Sequence, residues 1–241
     1  MVSPYGFQLI ENCQTCEQRA KHEFCSLPIE ALHSFDQVKN AIAYPKGAIL
    51  FVQGQIPRGV FVLCKGRIKI SVRTRDGKKF ILRISEPGEV LGLSATISGE
   101  SYQVTAETAE PCQTNFVSRD DFLRFLKTHS DVCFRVAEQL SEKYSNACHE
   151  IKSLGLSRSA CQKLARFLLQ LASSNGKEDE QEMKVKVAFT HEEVAQRIGV
   201  SRETVNRLLG ELRTQGILQW YGATLSIWDT TRLKELAATE A

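Results

Sequence analysis

Cys13, Cys16 and Cys25 fall within thirteen positions of one another, in the segment NCQTCEQRAKHEFC. Thiolates at such spacing bind metals or undergo redox chemistry, and three together raise the question of a fourth donor elsewhere. The segment is polar and offers these side chains little core to fill. The chain has eight cysteines; Cys64, Cys133, Cys148 and Cys161 lie in apolar strand or helix patterns, where a free cysteine packs as a small hydrophobe. A disulfide framework belongs to small exported domains, and the opening MVSPYGFQLIENC lacks the basic start and apolar stretch of an export signal. The expected location is the cytoplasm.

A second group of residues suits nucleic acid. In THEEVAQRIGVSRETVNRLLGELRTQG, Thr190 and Glu193 form a capping box for a short helix that Gly199 ends. Ser201 then caps a second helix that closes at Gly216. Two short helices joined by a tight glycine turn form a helix-turn-helix. At 100° per residue the second helix turns Val205, Leu208, Leu209 and Leu212 to one side and Arg202, Glu203, Asn206, Arg207 and Arg213 to the other. Arginine reads guanine O6 and N7 with two hydrogen bonds, and glutamate accepts from cytosine N4. A carboxylate aimed at a phosphate-rich surface is unfavourable, so Glu203 makes sense there as a base reader. The stretch ILQWYGATLSIWD reads as two strands around Tyr221-Gly222, the wing of a winged helix. Residues 156–241 carry 12 Lys/Arg against 11 Asp/Glu, a net of +1, so DNA binding must rest on where the cations sit.

These groups need a scaffold. With 241 residues, 42% hydrophobic and 24% charged, the chain is long enough for two modest domains. No apolar run approaches the roughly 20 residues that cross a bilayer. Residues 29–40 space Ile29, Leu32, Phe35 and Val38 as a short amphipathic helix. Between 43 and 118, short runs punctuated by glycine (AILFV, GVFVLC, RIKISVRT, KKFILRIS, YQVTAET, CQTNFV) read as strands of a jelly roll or barrel, with a hairpin at Asp76-Gly77. Ser118 caps RDDFLRFLKTH. From Ser130 to Leu154, Val132, Val136, Leu140, Tyr144, Ala147, Ile151 and Leu154 form a narrow stripe on about 37 Å of helix. Such a stripe reads as a dimer seam, the alternative being packing on the protein's own barrel. A helix through ACQKLARFLLQLAS follows, then SSNGKEDEQE as a solvated loop and KVKVAF as a strand.

With YPKGAILFVQGQIPRGVFVLCKGRIKIS and SRETVNRLLGEL on the page, nearly the whole chain resembles the superfamily of the cyclic AMP receptor protein and the fumarate-nitrate reductase regulator. The resemblance implies an α+β chain: a cysteine-bearing segment (1–28), a cyclic-nucleotide-binding-like β jelly-roll sensor (29–128), a dimerisation helix (129–155) and a winged helix-turn-helix (156–241). It implies a homodimer on double-stranded DNA, with RNA polymerase as a partner and no membrane. Arg202, Glu203 and Arg207 match base-reading positions of the cyclic AMP branch, implying a TGTGA-like half-site in a palindrome. The nucleotide-binding branch holds its phosphate with glycine-glutamate and arginine-serine pairs. Here Leu93 stands for the glutamate and Tyr102-Gln103 near the arginine-serine position, which argues against cyclic AMP.

The oxygen-sensing branch carries a [4Fe–4S] cluster on three N-terminal cysteines and one from the barrel. The resemblance thus implies Cys13, Cys16, Cys25 and Cys112 as ligands, with a longer second gap (C-x2-C-x8-C) than in that branch. Zinc on the three thiols with His22 or Cys112, or a thiol switch, are the alternatives. A small-molecule effector in the barrel is a further one. A jelly-roll metalloenzyme is disfavoured, because residues 43–118 contain no histidine and no nucleophile–base pair or phosphate-binding glycine loop is evident.

Overall fold

The structure is a computed structural model that describes residues 3–16, 19–156, 159–179, 182–187 and 189–238. The chain divides into two compact units, Met1–Ser145 and Asn146–Ala241.

The first unit opens with an N-terminal segment containing two 3-10 turns, Arg19–Lys21 and Glu23–Cys25, and continues into α1 (Ile29–Val38). Eight strands follow: β1 (Asn40–Tyr44), β2 (Ile49–Phe51), β3 (Gly59–Lys65), β4 (Ile68–Arg73), β5 (Lys79–Ser85), β6 (Val90–Leu91), β7 (Thr105–Thr108) and β8 (Cys112–Ser118). A short helix, α2 (Leu93–Ser98), lies between β6 and β7. The strands form two antiparallel sheets, ordered β1-β8-β3-β6 and β2-β7-β4-β5, which is the jelly roll. Strands β1 and β6 and helix α2 were not evident in sequence, since two of the three are short and none has clean alternation. The hairpin at Asp76-Gly77 forms as expected, with Gly77 at φ +83°.

Alternation along the strands sorts two cores. Phe61 and Leu63 of β3 and Cys112 of β8 point into the barrel with Phe51, Ile68 and Ala106. Val60, Val62 and Val117 point the other way, against Phe24, Leu27, Leu32, Phe35, Phe122 and Phe125. The sheet therefore has a barrel face and a helix-covered face, and its strands have period-2 parity.

Ser118 caps α3 (Arg119–Thr128), its hydroxyl accepting from the Asp121 N–H. Helix α4 (Ser130–Leu156) runs on through Gly155. The first part of the apolar stripe expected to form a dimer seam packs on the chain's own core instead. Val132 and Val136 are buried in the first unit's own core and Leu140 packs against it, because the outer face of the β1-β8-β3-β6 sheet needs a cover. The side chains of Ile151 and Leu154 lie outside those described. Phe134 (64% exposed) and, further along the stripe itself, Tyr144 (74% exposed) are left open.

The second unit holds α5 (Ala160–Asn175), β9 (Gly176–Asp179), β10 (Glu182–Lys186), α6 (His191–Ile198), α7 (Arg202–Thr214), β11 (Leu218–Tyr221), β12 (Thr224–Ile227) and α8 (Thr230–Ala238). Its sheet is ordered β11-β12-β10-β9. Part of the stretch read as a solvated loop is the edge strand β9, paired with β10 through backbone bonds. Its polar residues hide it from hydrophobic patterning, and a charged edge resists further pairing. The second unit's core is built from Leu164, Leu168, Val194, Val205, Leu212, Leu225 and Leu233 among others.

Candidate metal centre and nucleic-acid interface

The N-terminal segment is fastened to the outer face of the sheet. Gln113, fully buried, accepts from Ile10 N–H (2.8 Å) and donates to Ile10 O (2.7 Å). Cys13 N–H donates to both oxygens of Asp36 on α1 (3.1 and 3.3 Å). Lys39 sits between them, its Nζ 2.7 Å from Asp36 Oδ1 and 3.0 Å from Cys13 Sγ. Burial alone would raise the Asp36 carboxyl, but the Lys39 ammonium and the Cys13 N–H outweigh it and hold the group below its usual range.

The eight-residue gap before Cys25 is taken up by the two 3-10 turns. Cys25 N–H and Ser26 N–H both donate to His22 O, and Phe24 and Leu27 anchor the turn in the core. Cys25 is thereby turned back beside the first two thiols. The result is a cavity of about 30 Å³ lined by Cys13, Cys16, Cys25 and Cys64, with His22 and Asn115 at its wall. His22 packs directly over Gly88, where an added Cβ would lie 2.3 Å from the His22 Cβ and where φ is +91°. Burial pushes the Cys25 thiol up to about 12, with the charges of Cys13 and Cys16 adding to it. Burial likewise raises Cys64, helped by Cys13 and Cys25. Cys13 is raised by burial and partly relieved by Lys39.

Two sequence expectations are corrected at this site. Cys112 is not with the N-terminal thiols: it faces the barrel interior, its Sγ donating to Arg67 O (3.2 Å) and Glu110 O (3.1 Å). Cys64, read as a packing cysteine, lines the cavity instead. Parity explains both. Cys112 shares its face with Phe116, whereas Cys64 follows Val60 and Val62 on the outer one. That alternation was present in VFVLC and CQTNFV and could have identified the pair. Among the described residues, no three His, Cys, Asp or Glu side chains converge closely enough to hold one metal ion. A mononuclear zinc would need such convergence, with every sulfur about 2.3 Å from one point. A polynuclear cluster spreads its thiolates over several irons, so four half-buried thiols ranged round one cavity suit it better in donor type.

Neither barrel residue that the resemblance sets at a phosphate position carries a charge. Leu93 is buried, and buried Tyr102 donates its hydroxyl to Gly59 O (2.7 Å) while its ring stacks on Phe51 at 4.1 Å. Beside this stack is a second cavity of about 210 Å³, bordered by Tyr44, Phe61 and Phe116 with Gln55 and Arg58.

In the second unit, the Thr190 capping box forms, and Gly199 ends α6 in the left-handed region at φ 71°. The Ser201 hydroxyl accepts from the Thr204 N–H and starts α7. Val205, Leu208, Leu209 and Leu212 are buried. Ser201, Arg202, Glu203, Asn206, Arg207 and Arg213 are all exposed. Its own backbone N–H, with the Ser201 hydroxyl, holds the Glu203 carboxyl below its usual range. Asn206 Oδ1 meets His191 Nδ1 at 2.6 Å, and Arg207 pairs with Glu211 at 2.5 Å. Strands β11 and β12 form the wing, turning at Gly222.

Two family models match. Residues 41–129 match the cyclic nucleotide-binding domain, and residues 162–236 match the Crp-like helix-turn-helix domain. The chain belongs to the CRP/FNR family of transcription regulators. Similar curated proteins include the cAMP-activated global transcriptional regulator CRP of Pasteurella multocida, 25% identical over 78% of this chain and 89% of that protein. The CRP-like cAMP-activated global transcriptional regulator of Mycobacterium tuberculosis is 24% identical over 81% and 87%. Among solved structures, FixK2 from Bradyrhizobium japonicum gives a TM-score of 0.70 at 23% identity, covering 85% of this chain and 100% of that one. A CooA mutant from Carboxydothermus hydrogenoformans gives 0.73 at 24%, covering 84% and 89%. The protein is a CRP/FNR-type DNA-binding transcription regulator, and α6 and α7 lie within the matched helix-turn-helix domain. No helix among the described residues is long and apolar enough to cross a membrane.

Proposed function

We propose that the protein is a cytoplasmic, homodimeric transcription regulator whose DNA affinity is set by an oxygen- or redox-labile [4Fe–4S] cluster on its N-terminal thiols. The observation that carries this reading is that Cys13, Cys16 and Cys25 line one partly enclosed cavity against the sensor sheet. When bound, the cluster supplies a group that oxygen or nitric oxide can damage. Lys39, whose ammonium is hydrogen-bonded to Cys13 Sγ, offsets the negative charge that thiolate ligands bring. The cavity wall leads to the dimer helix: His22 rests on Gly88, and two residues on, Val90 N–H donates to Gln139 Oε1 (2.9 Å) of α4.

The open face of α4 supplies the dimer contact. Phe134, Ala137, Ser141, Tyr144 and Cys148 follow steps of three and four residues, the spacing of a two-helix seam. In the dimer, two α7 helices about one DNA turn (~34 Å) apart would meet a TGTGA-like palindrome. Arg202, Glu203 and Arg207 read bases, and Asn206 and Arg213 lie on the same exposed face. RNA polymerase is the partner through which such a regulator acts.

Cyclic AMP is disfavoured, because Tyr102 and Leu93, at the positions the family resemblance gives to the phosphate, carry no charge, and the one cation bordering the neighbouring cavity among the described residues is Arg58. The aromatic cavity beside Arg58 favours a second reading, a small acidic aromatic effector acting on the same DNA-binding dimer. Anaerobic purification followed by iron and acid-labile sulfide analysis tests the first reading: a coloured protein with both elements supports it. A colourless protein without iron whose melting temperature shifts with aromatic acids supports the second.

A further inference from the structure

We propose that Cys64, and not Cys112, is the fourth protein ligand of the group held by Cys13, Cys16 and Cys25. This inference rests on the cluster reading above and specifies its ligand set.

Three observations carry it. Cys64 borders the same cavity as the three N-terminal thiols, and Cys112 does not. The β1-β8-β3-β6 sheet stands between Cys112 and that cavity. On β8, Gln113 bonds Ile10 and Asn115 Nδ2 reaches Cys13 Sγ at 3.6 Å, so odd-numbered residues face the N-terminal segment and Cys112 faces away. A side chain cannot change faces without a register slip that would reverse the whole strand. The Cys112 thiol is also fully enclosed: it donates to two carbonyls, and a Cβ added at Gly66 would lie 2.6 Å from its sulfur.

The third observation is local. The pairing of β3 with β8 shifts register between Leu63 and Lys65, so Cys64 is the extra residue of a bulge. Bulges re-aim a side chain next to functional sites. Here the bulge follows a regular strand, so the fourth donor sits on the sheet while the other three come from the N-terminal segment that lies against it. On ligation each thiol releases its proton to solvent.

The test uses the full-length chain, reconstituted without oxygen from ferrous iron and sulfide. Iron and sulfide per chain and visible charge-transfer absorption are compared for the parent, Cys25→Ser, Cys64→Ser, Cys64→Ala and Cys112→Ser. The expected result is that both Cys64 variants lose the chromophore as fully as Cys25→Ser, while Cys112→Ser retains it. Retention in the Cys64 variants with loss in Cys112→Ser overturns the assignment and leaves the cluster reading standing. A parent chain that takes up no iron overturns both. A measurement without variants guards against misfolding: mild oxidation of the metal-free parent and peptide mapping should link Cys64 to an N-terminal cysteine. A link from Cys112 to that segment overturns the assignment.

Discussion

Lys143 of α4 donates to the Val90 carbonyl of β6 at 2.7 Å, so the long helix and the sensor sheet share an ammonium at their junction. Gln139 bonds the same residue's N–H, and Lys143 also reaches Gln139 Oε1 at 3.2 Å. Burial pushes Lys143 down to about 8, Arg83 adding repulsion and Glu89 and Glu142 opposing it.

This lysine gives the fold a pH signature. Its folded value lies below the unfolded 10.5, so between about 8 and 10.5 the unfolded chain binds more protons and stability rises with pH. Below about 8 the ammonium is charged in both states and its burial penalty is present in full. Thermal unfolding of the parent across that window, set against Lys143→Met, should show the upward contribution in the parent alone. Parallel profiles for the two proteins would refute it.

Gly88 cannot take a side chain. Its φ of +91° and the His22 ring above it mean that Gly88→Ala meets both backbone strain and overlap. A loss of about 1–3 kcal/mol in urea unfolding is expected, along with weaker metal uptake as His22 and Cys25 are displaced. Unchanged stability and uptake would show that the contact is not tight.

The Lys39–Asp36 pair is nearly enclosed, with side chains 4% and 17% exposed. Lys39→Met leaves the Asp36 carboxylate with the Cys13 N–H but no cation and should destabilise the chain by about 3–5 kcal/mol. Adding Asp36→Asn should restore part of that loss, since the uncompensated charge is then gone. A double variant no better than the single would place the effect in packing.

Arg202 and Arg207 are exposed at the start and middle of α7. Each arginine-to-alanine change should cost about 1–3 kcal/mol on a palindromic TGTGA-like duplex and little on a scrambled one. Glu203→Ala should relax the base preference more than it lowers affinity. Equal losses on both duplexes would assign these side chains to phosphates.

The helix-turn-helix was legible because its determinants are local: Thr190, Glu193, Gly199 and Ser201 act through neighbours three or four positions away. The barrel strands were legible where apolar residues are dense, as in β3, and not where two residues suffice, as in β6. The thiol site was half legible. Spacing singled out Cys13, Cys16 and Cys25, but the fourth thiol depends on which face of a sheet each strand residue takes, and a family resemblance pointed to Cys112 across that sheet. The first part of the α4 stripe was misassigned because Val132 and Val136 satisfy one period whether they meet a partner or the chain's own core.

The coupling of thiol pocket to DNA helix is measured directly by the affinity of the anaerobically loaded protein for a fluorescent TGTGA-like palindrome, before and after the metal is removed by a chelator. The expected result is a fall of about 5–150-fold on removal. An affinity that stays the same, with iron loss verified in the same sample, would contradict it.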